Sequence, residues 1–333
     1  MHELSQMIKD DMKPALGVTE PGAIAFAVAK ARSFTKGDIK KVNVAMNSGM
    51  YKNAFTCGIP NSNEVGNVFA AALGVVAGNA DKGLESLADV TPEDNVKAQE
   101  MIDQGKITVE LSGITSRIFI EATVETEEDK AIVTIRDSHT NITKIIVNDK
   151  VELETEDEKK TEEDGGEEES HSIHKYTLQQ LYDYVTTVDI EEIRFINEAY
   201  KVNLELFHEG LENPRTTFAR QLLAINNGKE VSDDEQKTAS LMCNAAIEAR
   251  VIGLDKPAMS ITGSGAHGII ATMPLYAAYK VNGYTEEQLL RATALSYLVC
   301  MYIKEYSGRL SAFCGCAIAA GSGMACALVY LRG

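Results

Sequence analysis

The sequence predicts an α+β protein: an antiparallel sheet with buried small-residue helices in the N-terminal half, and a mostly helical C-terminal half. Three observations carry this. Between 107 and 148, "ITVELS", "RIFIEATVET", "KAIVTIRD" and "ITKIIVND" alternate apolar and polar residues at regular spacing, as strands of a meander do. The segments "VTEPGAIAFAVAKARSF" and "NEVGNVFAAALGVVAG" are rich in Ala and Gly and apolar on every side, as buried helices are. From Tyr176 onward the pattern turns helical almost throughout.

In chain order, residues 3–12 read as a short helix closed by Pro14, and a turn capped by Thr19 and Glu20 leads into a helix from about 22 to 34. "IKKVNVAMN" alternates like a strand, and the meander follows. The stretch "VELETEDEKKTEEDGGEEES" has no apolar periodicity, and residues 152–169 hold eleven acidic side chains against Lys159 and Lys160, a local balance of −9. Such like-charge density reads as a solvated loop or linker. The expected organisation is an α+β part over 1–150, an acidic linker over 151–170, and a helical part over 171–333 that carries Gly-rich and Cys-bearing segments.

A length of 333 residues suits two domains or one large one, and the composition is that of a globular protein. The net charge of −17 argues against nucleic acid or an anionic membrane as the main partner. The polar start "HELSQMIKDDMK" lacks an apolar signal region, and six cysteines without secretory signals read as reduced thiols, so a cytoplasmic location is expected.

Four stretches place glycine beside polar groups, as where backbone approaches a ligand. They are "GVTEPGA", "YKNAFTCGIPNSNEVGN", "SITGSGAHG" and "IKEYSGRLSAFCGC". The third satisfies G-x-G-x-x-G, but Pro257 precedes it and no acidic residue ends a second strand about twenty residues later, which argues against a dinucleotide site. The alternatives are a plain helix-entry turn, or a turn whose N–H groups at Ser264 and Gly265 bind a carboxylate. His267 is a candidate general base or orienting group, with a structural hydrogen bond as the plainer option. His171 and His174 form H-x-x-H beside the acidic run and read as surface residues.

Lys304 and Arg309 flank "EYSG". They are either a solvated helix end or a guanidinium fork for a substrate carboxylate with a lysine acid or base beside it. Cys314 and Cys316 are two apart, which on a helix separates their side chains by about 200°, so only an irregular turn lets them share a metal. Without a C-x-x-C pair a self-contained zinc site is not expected, and Cys57, Cys243, Cys300 and Cys326 fit helix or strand cores. Residues 310–331 are 22 uncharged residues, long enough for a membrane span, but their many small residues suit tight burial better.

Taken together, "PALGVTEPGAIA", "YKNAFTCGIPNSNEVGNVFAAALG", "ARVIGLDKPAMSITGSGAHGIIATMP" and "MYIKEYSGRLSAFCGCAIAAG" resemble the L-cysteine desulfidase family (UPF0597-type), related to the iron–sulfur L-serine dehydratase α chain. The resemblance runs in order along nearly the whole chain. It implies a [4Fe–4S] cluster on three Cys ligands, with an open iron polarising the substrate, and β-elimination of L-cysteine to pyruvate, ammonia and sulfide, or of L-serine in the related dehydratases. The candidate substrate contacts are Thr19, Glu20, Asn53, Ser264 and Gly265 and the candidate catalytic residues His267, Lys304 and Arg309; the resemblance singles out Cys314 as a metal ligand, with Cys316 a weaker candidate. A homodimer is the expected assembly.

The chain departs from that pattern at Val18, which stands where the family has a ligand Cys, and at Ala266, which stands where the family has an amide. The third ligand would lie in a segment beyond Gly333. A separate C-terminal piece, a member that has lost its cluster, or a partner chain supplying ligands all remain open. The alternative function is a cluster-free binding protein for small amino acids on the same fold.

Overall fold

The computed structural model describes residues 1–59, 61–115, 117–155, 173–307 and 314–333. These fall into two compact units, one built from 1–17, 173–307 and 314–333, the other from 18–155. The chain opens in the first unit with α1 (Glu3–Asp11) and β1 (Lys13–Leu16).

The second unit contains α2 (Thr19–Arg32), β2 (Ile39–Asn47), α3 (Ser48–Ala54), α4 (Asn67–Ala77), α5 (Pro92–Asp103) and five further strands. These are β3 (Ile107–Gly113), β4 (Phe119–Thr126), β5 (Lys130–Arg136), β6 (Ile142–Val147) and β7 (Lys150–Glu154). The sheet order is β3-β2-β4-β5-β6-β7. Of the four expected meander strands, only β4 to β6 pair as consecutive antiparallel neighbours, and β7 extends them; β3 pairs parallel to β2 at the edge. "ITVELS" alternates as a meander strand would, but it follows a helix, so the chain re-enters the sheet in the same direction as β2. The start of the acidic stretch is also ordered, since β7 pairs with β6 and Lys144 holds Glu154 at 2.7 Å. The remainder of the acidic run lies outside the described residues.

Helix α2 is apolar on every side and packs between α4 and the strands β4 and β5, as its composition demands. Thr19 and Glu20, expected from the sequence to cap the turn before it, instead lie in its first turn, and the N-cap is Val18. The helices approach closely because a Cβ on Gly74 would lie 2.8 Å from the Ala25 Cα and carbonyl oxygen. Small residues here set the interaxial distance.

In the first unit follow α6 (Leu178–Thr187), α7 (Ile190–Ile193), α8 (Asn197–Glu212), α9 (Phe218–Ile225), α10 (Glu235–Val251), β8 (Pro257–Ser260), α11 (Gly265–Asn282), α12 (Glu286–Ser307) and, after a π-helical segment at Cys316–Gly321, α13 (Ser322–Arg332). Strands β1 and β8 pair antiparallel, Lys13 opposite Ser260. Helix α10 packs on α8 and α11, and α12 on α13. Some small residues of the C-terminal segment serve burial: a Cβ on Gly323 would lie 2.3 Å from the Ser296 carbonyl oxygen, and Ala319, Ala320 and Ala327 join the core, whereas Ala317 and Ala325 are exposed. Among the described residues no helix is long and apolar enough to cross a membrane.

Candidate functional site

In the first unit the chain leaves β8 through a tight turn and enters α11, with Ser264 as N-cap. The turn is closed by the Ser264 N–H donating to the Ile261 carbonyl at 3.1 Å. Its second residue, Thr262, is β-branched yet has φ +54°, a region such side chains adopt only under constraint. The Thr262 N–H donates to Asp11 Oδ2 at the end of α1, and its hydroxyl lies 2.6 Å from His267 Nδ1. Glycine is required twice here. A Cβ on Gly268 would lie 1.8 Å from the Met259 carbonyl oxygen, and one on Gly265 would lie 2.7 Å from Arg250 Nε.

Helix α11 thus carries His267 beside two buried cations, Lys304 from α12 and Arg250 from α10. All three side chains are more than nine-tenths buried. Burial, then the charges of Lys304 and Arg250, push the imidazole down to about 4. His267 is therefore neutral at neutral pH, an available base in a positive setting. Its Nε2 faces Gly315, where a Cβ would lie 2.6 Å away; the Lys304 Cδ lies 3.3 Å from the same point.

Cys314 is exposed and non-helical, and Cys316 begins the π-helical segment half-buried, so the irregular backbone that the C-x-C spacing requires is present. Burial and the adjacent Cys314 raise the Cys316 thiol to about 11. Behind them, burial raises the thiols of Cys243 and Cys300 to about 12. Cys300 and Cys326 lie in helices, as expected, but Cys57 does not: it follows α3 and donates its thiol proton to the Asn53 carbonyl.

These donors do not fit a cubane. Three thiolates are needed, and among the described residues no group of three or more His, Cys, Asp or Glu side chains is placed to hold a metal ion. Val18, where the resemblance places a ligand thiolate, is a buried hydrocarbon.

The second unit holds a separate polar group. Glu20 is buried in the first turn of α2. Its carboxylate accepts from Asn53 Nδ2 at 2.8 Å and from the Thr19 hydroxyl at 3.4 Å.

Of the residues singled out from sequence, His267, Lys304, Ser264 and Gly265 therefore lie together with Cys314 and Cys316 in one unit, and Thr19, Glu20 and Asn53 lie together in the other. Ser264 makes no capping hydrogen bond with its side chain. Arg309 lies outside the described residues. His174, read as a surface residue, is half-buried; its Nε2 lies 2.9 Å from the Tyr302 carbonyl and its ring stacks on Tyr306. Sequence reasoning missed Arg250, Asp11, Thr262 and Gly315. Thr262 and Gly315 lie within two of the Gly-rich stretches, and Arg250 stands at the end of a helix leading into one of them, whereas nothing local marks Asp11.

Residues 81–333 match the family model described as serine dehydratase alpha chain. A UPF0597 protein of Clostridium botulinum (strain Langeland) is 40% identical over 329 residues, covering 98% of this chain and 76% of the relative. One from Caldanaerobacter subterraneus subsp. tengcongensis is 36% identical over 330 residues (99% and 76%), and one from Bacteroides fragilis is 34% identical over 333 (99% and 76%). The chain belongs to the UPF0597 family, which is related to the serine dehydratase α chain. No solved structure matches it.

Proposed function

We propose that the chain is a β-eliminating lyase acting on a small 2-amino acid with a leaving group on Cβ, L-cysteine or L-serine. One observation carries this reading: a neutral, buried imidazole, its Nε2 facing Gly315, beside two buried cations. The Cα proton of an amino acid is weakly acidic. Its removal needs an unprotonated base and positive charge near the carboxylate, where negative charge develops. His267 Nε2 takes the proton, and Arg250 and Lys304 stabilise the carboxylate and the charge that accumulates on it. A bound carboxylate offsets those two cations, so the imidazole becomes more basic once substrate is in place.

Loss of the Cα proton and the Cβ–S bond of L-cysteine gives aminoacrylate and sulfide. The proton held by His267 returns to the leaving group. Aminoacrylate tautomerises to the imine, and water releases pyruvate and ammonia. The family association suggests an iron–sulfur cluster as Lewis acid, but the donors described above do not complete one.

The test is pyruvate release from L-cysteine and L-serine by chain purified without oxygen, before and after supply of iron and sulfide. Turnover should fall about 10²- to 10⁴-fold in His267→Gln. Arg250→Ala should act mainly on KM. Absence of pyruvate from both amino acids under both conditions overturns the reading.

A further inference from the structure

An imidazole base is useful only if the nitrogen facing the substrate carries the lone pair, and in neutral histidine this is set by what the other nitrogen bonds to. At His267 the other nitrogen, Nδ1, meets a hydroxyl with one proton to give. Thr262 Oγ1 lies 2.7 Å from its neighbour's carbonyl, Ile261 O, and 2.6 Å from His267 Nδ1. A carbonyl only accepts, so the hydroxyl proton goes to Ile261 O. If the proton went to Nδ1 instead, two oxygen lone pairs would face each other at 2.7 Å. The oxygen's remaining lone pairs accept, one from His267 Nδ1–H; the buried Cys300 thiol is a further hydrogen-bond neighbour of the same side chain.

This arrangement depends on the backbone of Thr262, whose left-handed φ of +54° aims the hydroxyl at both partners. A β-branched residue is strained there, so the surroundings must impose the conformation. Asp11 does so from 251 positions away by accepting the Thr262 N–H. The register of β1 on β8 and the Ser260 hydroxyl bonded to the Lys13 carbonyl at 2.6 Å hold the end of α1 against the turn.

We propose that Thr262, clamped by Asp11, is a positioning residue that fixes His267 as the Nδ1–H tautomer, with a bare Nε2 facing Gly315. The proposal rests on the reading of His267 as the proton-abstracting base, but its first test is independent of activity. Ring-nitrogen NMR of ¹⁵N-histidine-labelled protein at neutral pH should show His267 with Nδ1 protonated and Nε2 bare. Thr262→Ala should shift that residue towards the other tautomer or a mixture, and Thr262→Ser should restore it. In turnover, Thr262→Ala should lose about 10- to 100-fold in kcat with little change in KM, and the serine variant should stay near wild type.

A wild-type His267 protonated on Nε2 overturns the proposal, as does an alanine variant with unchanged tautomer. If Thr262→Ala does not fold, the wild-type tautomer and its loss in Asp11→Ala decide the matter. A tautomer that behaves as described in a chain making no pyruvate upholds the positioning and overturns the lyase reading.

Discussion

His267 Nε2 lies 2.6 Å from the point a Cβ on Gly315 would occupy, so the backbone of one residue passes too close to the reactive nitrogen of the other for any side chain there. The same point is 2.9 Å from His267 Cε1 and 3.3 Å from the Lys304 stem. Neither a ring held through Nδ1 nor a buried lysine gives way cheaply. Gly315→Ala should therefore cost about 1–3 kcal/mol in urea unfolding, as overpacking does, and abolish pyruvate formation. Wild-type turnover in that variant would remove Nε2 from the chemistry.

The depressed basicity of His267 has a consequence for folding. In the native state it titrates near 4, whereas an unfolded histidine titrates near 6.5. Below pH 6.5 the unfolded chain takes up a proton that the native state refuses, so stability falls as pH drops from about 6.5 to about 4 and then levels off. This single group contributes on the order of 2 kcal/mol of destabilisation between pH 7 and pH 5. His267→Gln should remove that part of the pH dependence. Parallel urea titrations of both proteins at pH 7 and pH 5 should show a smaller difference for the variant; equal differences would mean the imidazole titrates normally.

The strands and helices were legible because their patterns are local: alternation marked β2 and β4 to β6, and all-round apolarity marked α2 and α4. The direction of β3 was not, since "ITVELS" reads the same in a parallel or an antiparallel pair, and the helix before it decides. The site was half legible for a similar reason. Gly263, Gly265, His267 and Lys304 stand in dense motifs, whereas Asp11 reaches Thr262 across 251 positions. Arg250 lies on a helix whose apolar and polar residues form no clear stripe, so nothing local marks it as buried.

Glu20 and Asn53 form the polar centre of the second unit, and their hydrogen bond at 2.8 Å fixes the price of breaking it. Asn53→Ala leaves a buried carboxylate oxygen without its donor, at a cost of about 1.5–3 kcal/mol. Thr19, at 3.4 Å from the other oxygen, does not replace it. Denaturant unfolding of Asn53→Ala, with Asn53→Gln as a partial rescue, measures the effect. A loss under about 0.5 kcal/mol would place water where the amide had been.

The thiols should separate by reactivity, because attack requires a thiolate that the reagent can reach. Cys314 is exposed, and iodoacetamide should modify it first. Cys316, half-buried with its thiol raised to about 11, should follow slowly. Cys300, buried and raised to about 12, should stay unmodified until denaturant is added, and Cys243, half-buried with its thiol likewise near 12, should react later than Cys314. Peptide mass spectrometry over a time course at pH 8 reads this order directly. Early alkylation of Cys300 would show that the turn bearing Thr262 opens in solution, since that thiol is buried and hydrogen-bonded to Thr262. Protection of Cys314 in reduced protein would instead mean that another group covers it, and a bound metal is then tested by whether a chelator restores the reaction.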